Sequence, residues 1–393
     1  MAAWNLVKLS EVCEIQRGGS PRPIDKFITD DENGINWIKI GDVAEGAKYI
    51  TETREKIKPE GVRSSREVGY GDFLLSNSMS FGRPYILHTS GCIHDGWLVL
   101  RYDKDQLTED FLYHVLSSDF VYAQFTKLAV GAVVKNLNSE VVRQVSIPLP
   151  PLTEQRRIAA ILDQADALRT KRREALAQLD SFTQSIFIEM FGDPIENPNS
   201  FPVSNLIDLV DPERPISYGI LMPGPEVEEG VSYVRVVDMK NGGIDLSGIR
   251  KTTQEISNSY KRSLLKTGDL LMSIRGHVGR LAVIPEELNG ANITQDSARL
   301  AVIGANPIYV RECLRATGFQ RWMVKHTKGV AVRGINLGDV KLMPISLPSR
   351  ELQEKFAARV LQVEKLQAIS RDSLTNSTNL FLSLQHRAFR GEL

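Results

Sequence analysis

The chain has 393 residues, 48 basic against 48 acidic side chains, and 42% hydrophobic composition, enough for two or three domains with cores of their own. No run of about 18 apolar residues is present to span a membrane. The start Met1-Ala2-Ala3-Trp4-Asn5 lacks the basic and apolar regions of a signal peptide, and Cys13, Cys92 and Cys313 stand far apart, so a cytoplasmic protein with reduced thiols is expected and a disulfide scaffold is excluded. Zero net charge excludes a uniformly basic nucleic-acid binder; such a partner has to be met by a local basic surface or with help from another subunit.

In chain order, Arg17-Gly18-Gly19-Ser20-Pro21 is glycine-rich but too short to cradle a phosphate alone. From Tyr70 to Leu100, Gly71, Gly82, Pro84 and Gly91 cut the sequence into short apolar runs that predict strands joined by turns. Phe111 to Leu128 carries helical spacing through Leu112, Val115, Leu116 and Phe120. The exit Ile147-Pro148-Leu149-Pro150-Pro151 disfavours helix. After it, Thr153 is a candidate N-cap for a long rod whose apolar stripe runs Ile158, Ile161, Ala165, Leu168, Arg172, Ala175, Leu179, Phe182 and Ile186. Those steps of three and four are a heptad seam with one polar interruption. Gly192 and Pro194 end the rod, and 191–201 reads as an exposed linker.

The second half restates the first about 197 residues later. Gly71-Asp72-Phe73-Leu74-Leu75-Ser76, followed by Gly82-Arg83, returns as Gly268-Asp269-Leu270-Leu271-Met272-Ser273, followed by Gly279-Arg280. Trp37-Ile38-Lys39-Ile40 and Asp42 answer Tyr233-Val234-Arg235-Val236 and Asp238; Gly131 and Asn138 answer Gly329 and Asn336; Pro150 and Gln155 answer Pro348 and Gln353. Ser232 to Val237 and Ile293 to Ile303 read as strands, and Ile308 to His326 as helix. A second rod from Arg350 carries Phe356, Val360, Val363, Leu366, Leu374, Leu380 and Leu384, with a polar, weakly helical middle at 370–379. Two copies this long are neither a solenoid nor a propeller. They predict an α+β, pseudo-twofold chain in which two strand-rich domains are separated by two long antiparallel coiled-coil helices.

The marks of catalysis are missing: no P-loop, no GxSxG and no HExxH. Among the six histidines only His88 and His94 stand close together, without cysteine or carboxylate partners at metal-binding intervals. Recognition loops are better supported. Ser273-Ile274-Arg275-Gly276-His277-Val278-Gly279-Arg280 places two arginines and a histidine on a glycine-bounded turn; the first copy has Asn77, Ser78, Ser80 and Arg83 there. Lys135-Asn136-Leu137-Asn138 and Arg333-Gly334-Ile335-Asn336 are a second matched pair. Arginine forks fit guanine edges or phosphates, and asparagine fits adenine edges. With Arg17, Ser20, Lys39 and Arg235, these are the candidate DNA-contacting residues. Ile158, Ile161, Ala165, Leu168, Leu179, Phe182, Phe356, Val360, Val363 and Leu384 are the candidates for helix pairing and partner docking.

These residues resemble the specificity subunits of type I restriction-modification systems, over the whole chain. The resemblance is carried by Gly268 to Gly276, by Asn292-Ile293-Thr294-Gln295-Asp296, and by the rod entry Pro148 to Ile158. Met190-Phe191-Gly192-Asp193-Pro194 and the closing Ala388-Phe389-Arg390-Gly391-Glu392-Leu393 carry it too. It implies target recognition domains at 1–150 and 193–348 with conserved helices at 151–192 and 349–393. It further implies a non-catalytic subunit that reads a bipartite double-stranded DNA target, the rods setting the spacer. Partners would be methyltransferase subunits, expected to be two, and restriction subunits; S-adenosylmethionine, ATP and magnesium would belong to them. The basic run Arg169, Lys171, Arg172, Arg173 could serve an acidic partner, the DNA backbone or solvent. The alternatives are a single-chain DNA-modifying enzyme and a protein-binding scaffold.

Overall fold

The structure is a computed structural model that describes residues 4–43, 46–77, 81–128, 137–240, 242–329 and 333–393. The chain forms two compact units: Met1–Arg172 with Ser373–Leu393, and Arg173–Asp372. Two long helices, Leu152–Phe191 and Arg350–Arg390, contribute to both. At 1.5 Å per residue each is about 60 Å long.

In the first unit a five-stranded sheet has the order Cys13–Arg17, Trp97–Tyr102, Phe73–Ser76, Pro84–Leu87, Tyr49–Ile50. Its central strand is buried on both faces because alternate side chains point opposite ways. Phe73 and Leu75 pack with Phe111, Leu112 and the first long helix, while Leu74 packs with Ile38, Ile93 and Trp97. That is why the sequence shows unbroken apolar runs here rather than alternation. A second five-stranded sheet includes the parallel pair Trp37↔Cys92.

The second unit repeats the plan with fewer strands: Ser217–Tyr218, Ser297–Leu300, Leu270–Ser273, Leu281–Val283 in that order, and a parallel pair Tyr233↔Asn292 in a smaller sheet. Both units are mixed α+β. The recurrent aspartates have a local task, since the carboxylates of Asp42 and Asp238 accept the backbone N–H groups of Lys39 (2.9 Å) and Arg235 (2.8 Å). Gly71 and Gly268 both take φ +85°, a conformation that favours glycine.

Within each unit the long-helix segments run antiparallel. In the first, Arg157 meets the carbonyl of Leu393 and the Arg169 guanidinium lies 4.4 Å from the Phe381 ring centroid. In the second, Gln367 meets Asp180 at 2.8 Å, and Phe187 and Phe191 pack on Phe356. The buried seam departs from the expected stripe. Ile158, Ala165 and Ile186 are buried, but so are Leu162, Thr183, Phe187 and Phe191; Leu168 is 41% and Phe182 53% exposed. Ile161 and Leu179 are half-buried. The positions that fail are those three residues on from a buried or half-buried one, Leu168 after Ala165 and Phe182 after Leu179; the buried partners lie four residues on, Leu162 after Ile158 and Thr183 after Leu179, so the buried seam steps by four where the expected stripe steps by three. On the second helix Phe356, Val360 and Val363 are buried and Leu384 is half-buried, whereas Leu366 and Leu380 face outward.

One other expectation changes. The helical spans 111–128 and 308–326 are each two helices, Glu109–Leu116 with Asp119–Leu128 and Pro307–Arg315 with Thr317–His326. The first is interrupted where the Ser118 hydroxyl accepts the Val121 N–H (3.2 Å), the second where Ala316 turns to ψ 144°. The stretch 191–201 is largely exposed over 195–200 and is held as a turn: Asn197 pairs with both backbone groups of Phe201 and Asn199 donates to the Phe191 carbonyl.

Candidate nucleic-acid interface

Each unit builds the same junction at the end of its central strand. In the first, Ser76 bonds Arg83 through its N–H (3.1 Å) and accepts the Arg83 N–H on its hydroxyl (3.2 Å); Gly82, at φ +74°, donates back to Ser76. In the second, Ser273, Arg280 and Gly279 (φ +88°) repeat these bonds. A second loop then joins: Leu137 donates to the Asn77 carbonyl, and Ile335 donates to that of Ile274, both at 2.9 Å. The second unit adds Gly276 N–H to the Arg333 carbonyl, 3.1 Å, and bridges Arg275↔Gly334 and Lys328↔Gly334. Two loops separated by some 60 residues are thereby held as one surface by main-chain bonds.

What stands on the two surfaces differs. In the second unit Arg275, His277, Arg280 and Arg333 are all exposed. Arg275 donates to the Gln295 amide at 3.1 Å, and the other three side chains have no hydrogen-bond or ion-pair partner among the described residues. Arg280 also lines a cavity of about 500 Å³ with Lys240, Arg315 and Gln320. Lys328, which sequence reasoning passed over, stands beside them, 3.9 Å from Asp339. At the first unit's junction Arg83 is exposed, with no side-chain partner among the described residues. Ser78, Ser80 and Lys135 lie outside those residues.

Most of the remaining candidates are occupied within the protein. Asp95 gathers the first unit's residues: its carboxylate takes the Ser20 hydroxyl (2.9 Å) and Arg22 (3.3 Å), and its carbonyl takes the Asn77 amide (2.7 Å) and Arg17 (3.2 Å). The Ser20 hydrogen bond, before any other cause, holds the Asp95 carboxyl below the usual carboxylate range. Asn77 is buried. Lys39 is ion-paired with Glu55. Arg235 forks onto Asp238 at 3.0 and 2.7 Å and reaches the Gly248 carbonyl at 2.8 Å. Asn138 and Asn336 are helix N-caps, accepting the N–H groups of Val141 and Asp339 at 2.9 Å. Such caps contribute about 1 kcal/mol of local stability. His94 accepts the Gly96 N–H (2.8 Å) and His88 is stacked between Tyr49 and Tyr70. No cluster of three metal-binding side chains occurs among the described residues.

A duplicated α+β scaffold on two shared long helices, with a loop junction of fixed backbone and variable side chains, belongs to the class of DNA specificity domains. The family model for the type I restriction modification DNA specificity domain matches residues 1–178 and 225–376, and the chain belongs to that family. It is 27% identical, over all of its length and 86% of the relative's, to the EcoBI type I restriction enzyme specificity subunit of Escherichia coli. Two solved structures share the fold. One is a chain from a study of complex assembly and conformational transition of the type I R-M system (TM-score 0.60, 19% identity, 100% and 99% of the two chains covered). The other is the type I S subunit from M. genitalium (TM-score 0.52, 16% identity, 98% and 96% covered).

Proposed function

We propose that this chain is the DNA-reading subunit of a type I restriction-modification complex, each unit reading one half of a split target. The observation that carries this reading is the second unit's zipped loop pair. It displays Arg275, His277, Arg280 and Arg333 on a backbone fixed by hydrogen bonds, so little backbone ordering remains to be done on binding. Arg275 and Arg280 are the first choice for base edges, where a bidentate contact discriminates by about 1–3 kcal/mol; Arg333 and Lys328 would contact phosphates. In the first unit, Arg83 with Ser78, Ser80 and Lys135 would read the other half. The chain performs no chemistry itself. Methyltransferase subunits would dock on the long helices, where Leu168, Phe182, Leu366 and Leu380 are exposed, and restriction subunits would join through them. S-adenosylmethionine, ATP and magnesium belong to those partners.

The test is to co-express the chain with its methyltransferase partner and map methylated adenines across the host genome. Two short half-sites separated by a constant gap are expected. A contiguous motif, or a complex that binds every duplex alike, overturns the reading.

A further inference from the structure

The central sheets of the two units correspond residue by residue. Leu74 pairs with Val99 in the first, and Leu271 with Arg299 in the second. Val99 is an ordinary core residue, 1% exposed and packed among Ile38, Leu74 and Trp97. Arg299 takes that position while remaining 2% exposed. A guanidinium where the scaffold wants an aliphatic side chain is costly unless its charge and donors are met.

They are met only in part. Arg299 donates to the carbonyls of Leu264 (2.8 Å) and Pro215 (3.1 Å), and its Nε–H has no partner among the described residues. No carboxylate pairs with it there. Asp269, whose charge acts on it, is engaged by Arg214 in a fork of 2.9 and 2.5 Å. Arg214 also points at the Leu264 carbonyl, at 3.4 Å, so two guanidiniums converge on one carbonyl. Burial first, then the charge of Arg214, lowers the Arg299 pKa.

Arg299 and Arg214 form the floor of a cavity of about 650 Å³, a size typical of small-molecule sites. Lys261, Arg262 and Lys266 line its rim, exposed and without ion-pair partners among the described residues; Glu213 is the one acid in the lining. The cavity lies by Gly268-Asp269, at the opposite end of strand Leu270–Ser273 from the arginine loop.

We propose that this cavity is an anion pocket that takes a phosphate group, with Arg299 and Arg214 as its floor and Lys261 and Arg262 as its rim. Four cations without a carboxylate partner among the described residues, Arg299, Lys261, Arg262 and Lys266, against one lining acid favour a multiply charged anion, and the unmet Nε–H of Arg299 is a donor for one of its oxygens. The phosphate can come from a free anion, such as pyrophosphate or a nucleotide, or from a DNA backbone passing the rim. The pocket does not depend on the arginine loop, which the variants below leave intact.

The probe is sodium pyrophosphate, titrated into the full chain by calorimetry and thermal shift against sodium chloride at matched ionic strength. One saturable site is expected, weakened at least tenfold by Arg299→Val, which restores the first unit's residue, and by the surface double change Lys261→Gln/Arg262→Gln. The double change keeps the test valid if Arg299→Val does not fold. A parallel titration with duplex DNA separates the sources. If DNA supplies the phosphate, pyrophosphate competes with it and the rim variant reduces the slope of log affinity against log salt by about one per lost contact. If the ligand is free, DNA affinity is unchanged while pyrophosphate binding is still lost. Absence of saturable binding, or equal binding by every variant, overturns the proposal.

Discussion

The two units fasten the long helices to their sheets by one shared device and one that differs. The shared device is a buried glutamine. Gln155 accepts the Thr108 N–H (2.9 Å) and donates to the Pro150 carbonyl (2.9 Å); Gln353 accepts the Asn306 N–H (2.8 Å) and donates to the Pro348 carbonyl (2.9 Å). Beside it, equivalent helix positions carry His114 and Glu312. His114 is buried, bonds Asp163 of the first long helix at 2.8 Å, and is backed by Lys48, which pairs with Asp110 (2.7 Å) and lies 3.8 Å from Asp163. Glu312 is fully buried and takes Arg311 (2.7 Å), Arg315 (3.2 Å) and Gln184 (2.7 Å), while Arg311 reaches on to Glu364 of the second long helix at 2.6 Å. Backbone-directed contacts are kept where geometry is shared. Charge-to-charge contacts vary as long as the buried group is paired.

That difference predicts unequal damage. Removing one member of a buried ionic network leaves uncompensated charge, at a cost of about 3–5 kcal/mol. Glu312→Leu should therefore lower the second unit's stability by that amount, because Arg311 and Arg315 lose their common partner. His114→Leu faces a half-exposed Asp163 that water can solvate, and should cost about 1–2 kcal/mol. Urea unfolding followed by hydrogen exchange of the helices Pro307–Arg315 and Glu109–Leu116 checks this, and equal losses would sink the distinction. On the recognition side, Arg280→Ala should weaken one half-site by about 1–3 kcal/mol and leave the other unchanged. Methylation of targets altered in each half separately reads this out; uniform weakening makes Arg280 a phosphate contact. Gln155→Ala and Gln353→Ala, which orphan equivalent backbone groups, should each cost about 1–2 kcal/mol. Gln155→Ala is expected at the upper end, because Gln155 also donates to the Gln106 carbonyl at 2.8 Å.

The duplicated plan is legible because its demands are local. Gly71 and Gly268 recur for a positive φ, Asp42 and Asp238 for a backbone N–H, Gln155 and Gln353 for a staple. The long helices are legible from length and their proline entries, but the seam is not, since apolar residues stand both three and four positions after Ile158, and only packing selects Leu162 over Ile161. The helix breaks near Ser118 and Ala316 span too few residues to disturb a periodicity. For the candidate interface, sequence separates residue types but not their employment. Asn138 and Asn336 look like base readers and are caps, which Ser139-Glu140 and Asp339 at the start of the following helices could have suggested. Arg235 is claimed by Asp238 three residues on, a spacing visible beforehand. The gathering role of Asp95 and the half-satisfied Arg299 arise from tertiary contacts; Arg299 stands 200 residues after Val99, beyond the offset of the sequence repeat, and only the strand register sets the two positions against each other.

The smallest effect is a pH dependence that belongs to one unit alone. The hydrogen bond from His114, followed by the charge of Lys48, holds the Asp163 carboxyl below its usual range. A carboxylate depressed in the folded state stabilises that state above its unfolded pKa of about 3.9, and the contribution is lost as pH falls through the folded value. Asp163→Asn removes the titrating group while keeping a hydrogen-bonding side chain of the same size. The stability gap between native protein and variant should close progressively below about pH 4. The protection of Glu109–Leu116 amides should follow that gap, while Pro307–Arg315, latched through an arginine that stays charged throughout, should show no difference between the two proteins. A gap that stays constant to the acid limit would mean that Asp163 acts by packing and hydrogen bonding alone. The chemical contrast between the two latches would then have no consequence for acid stability.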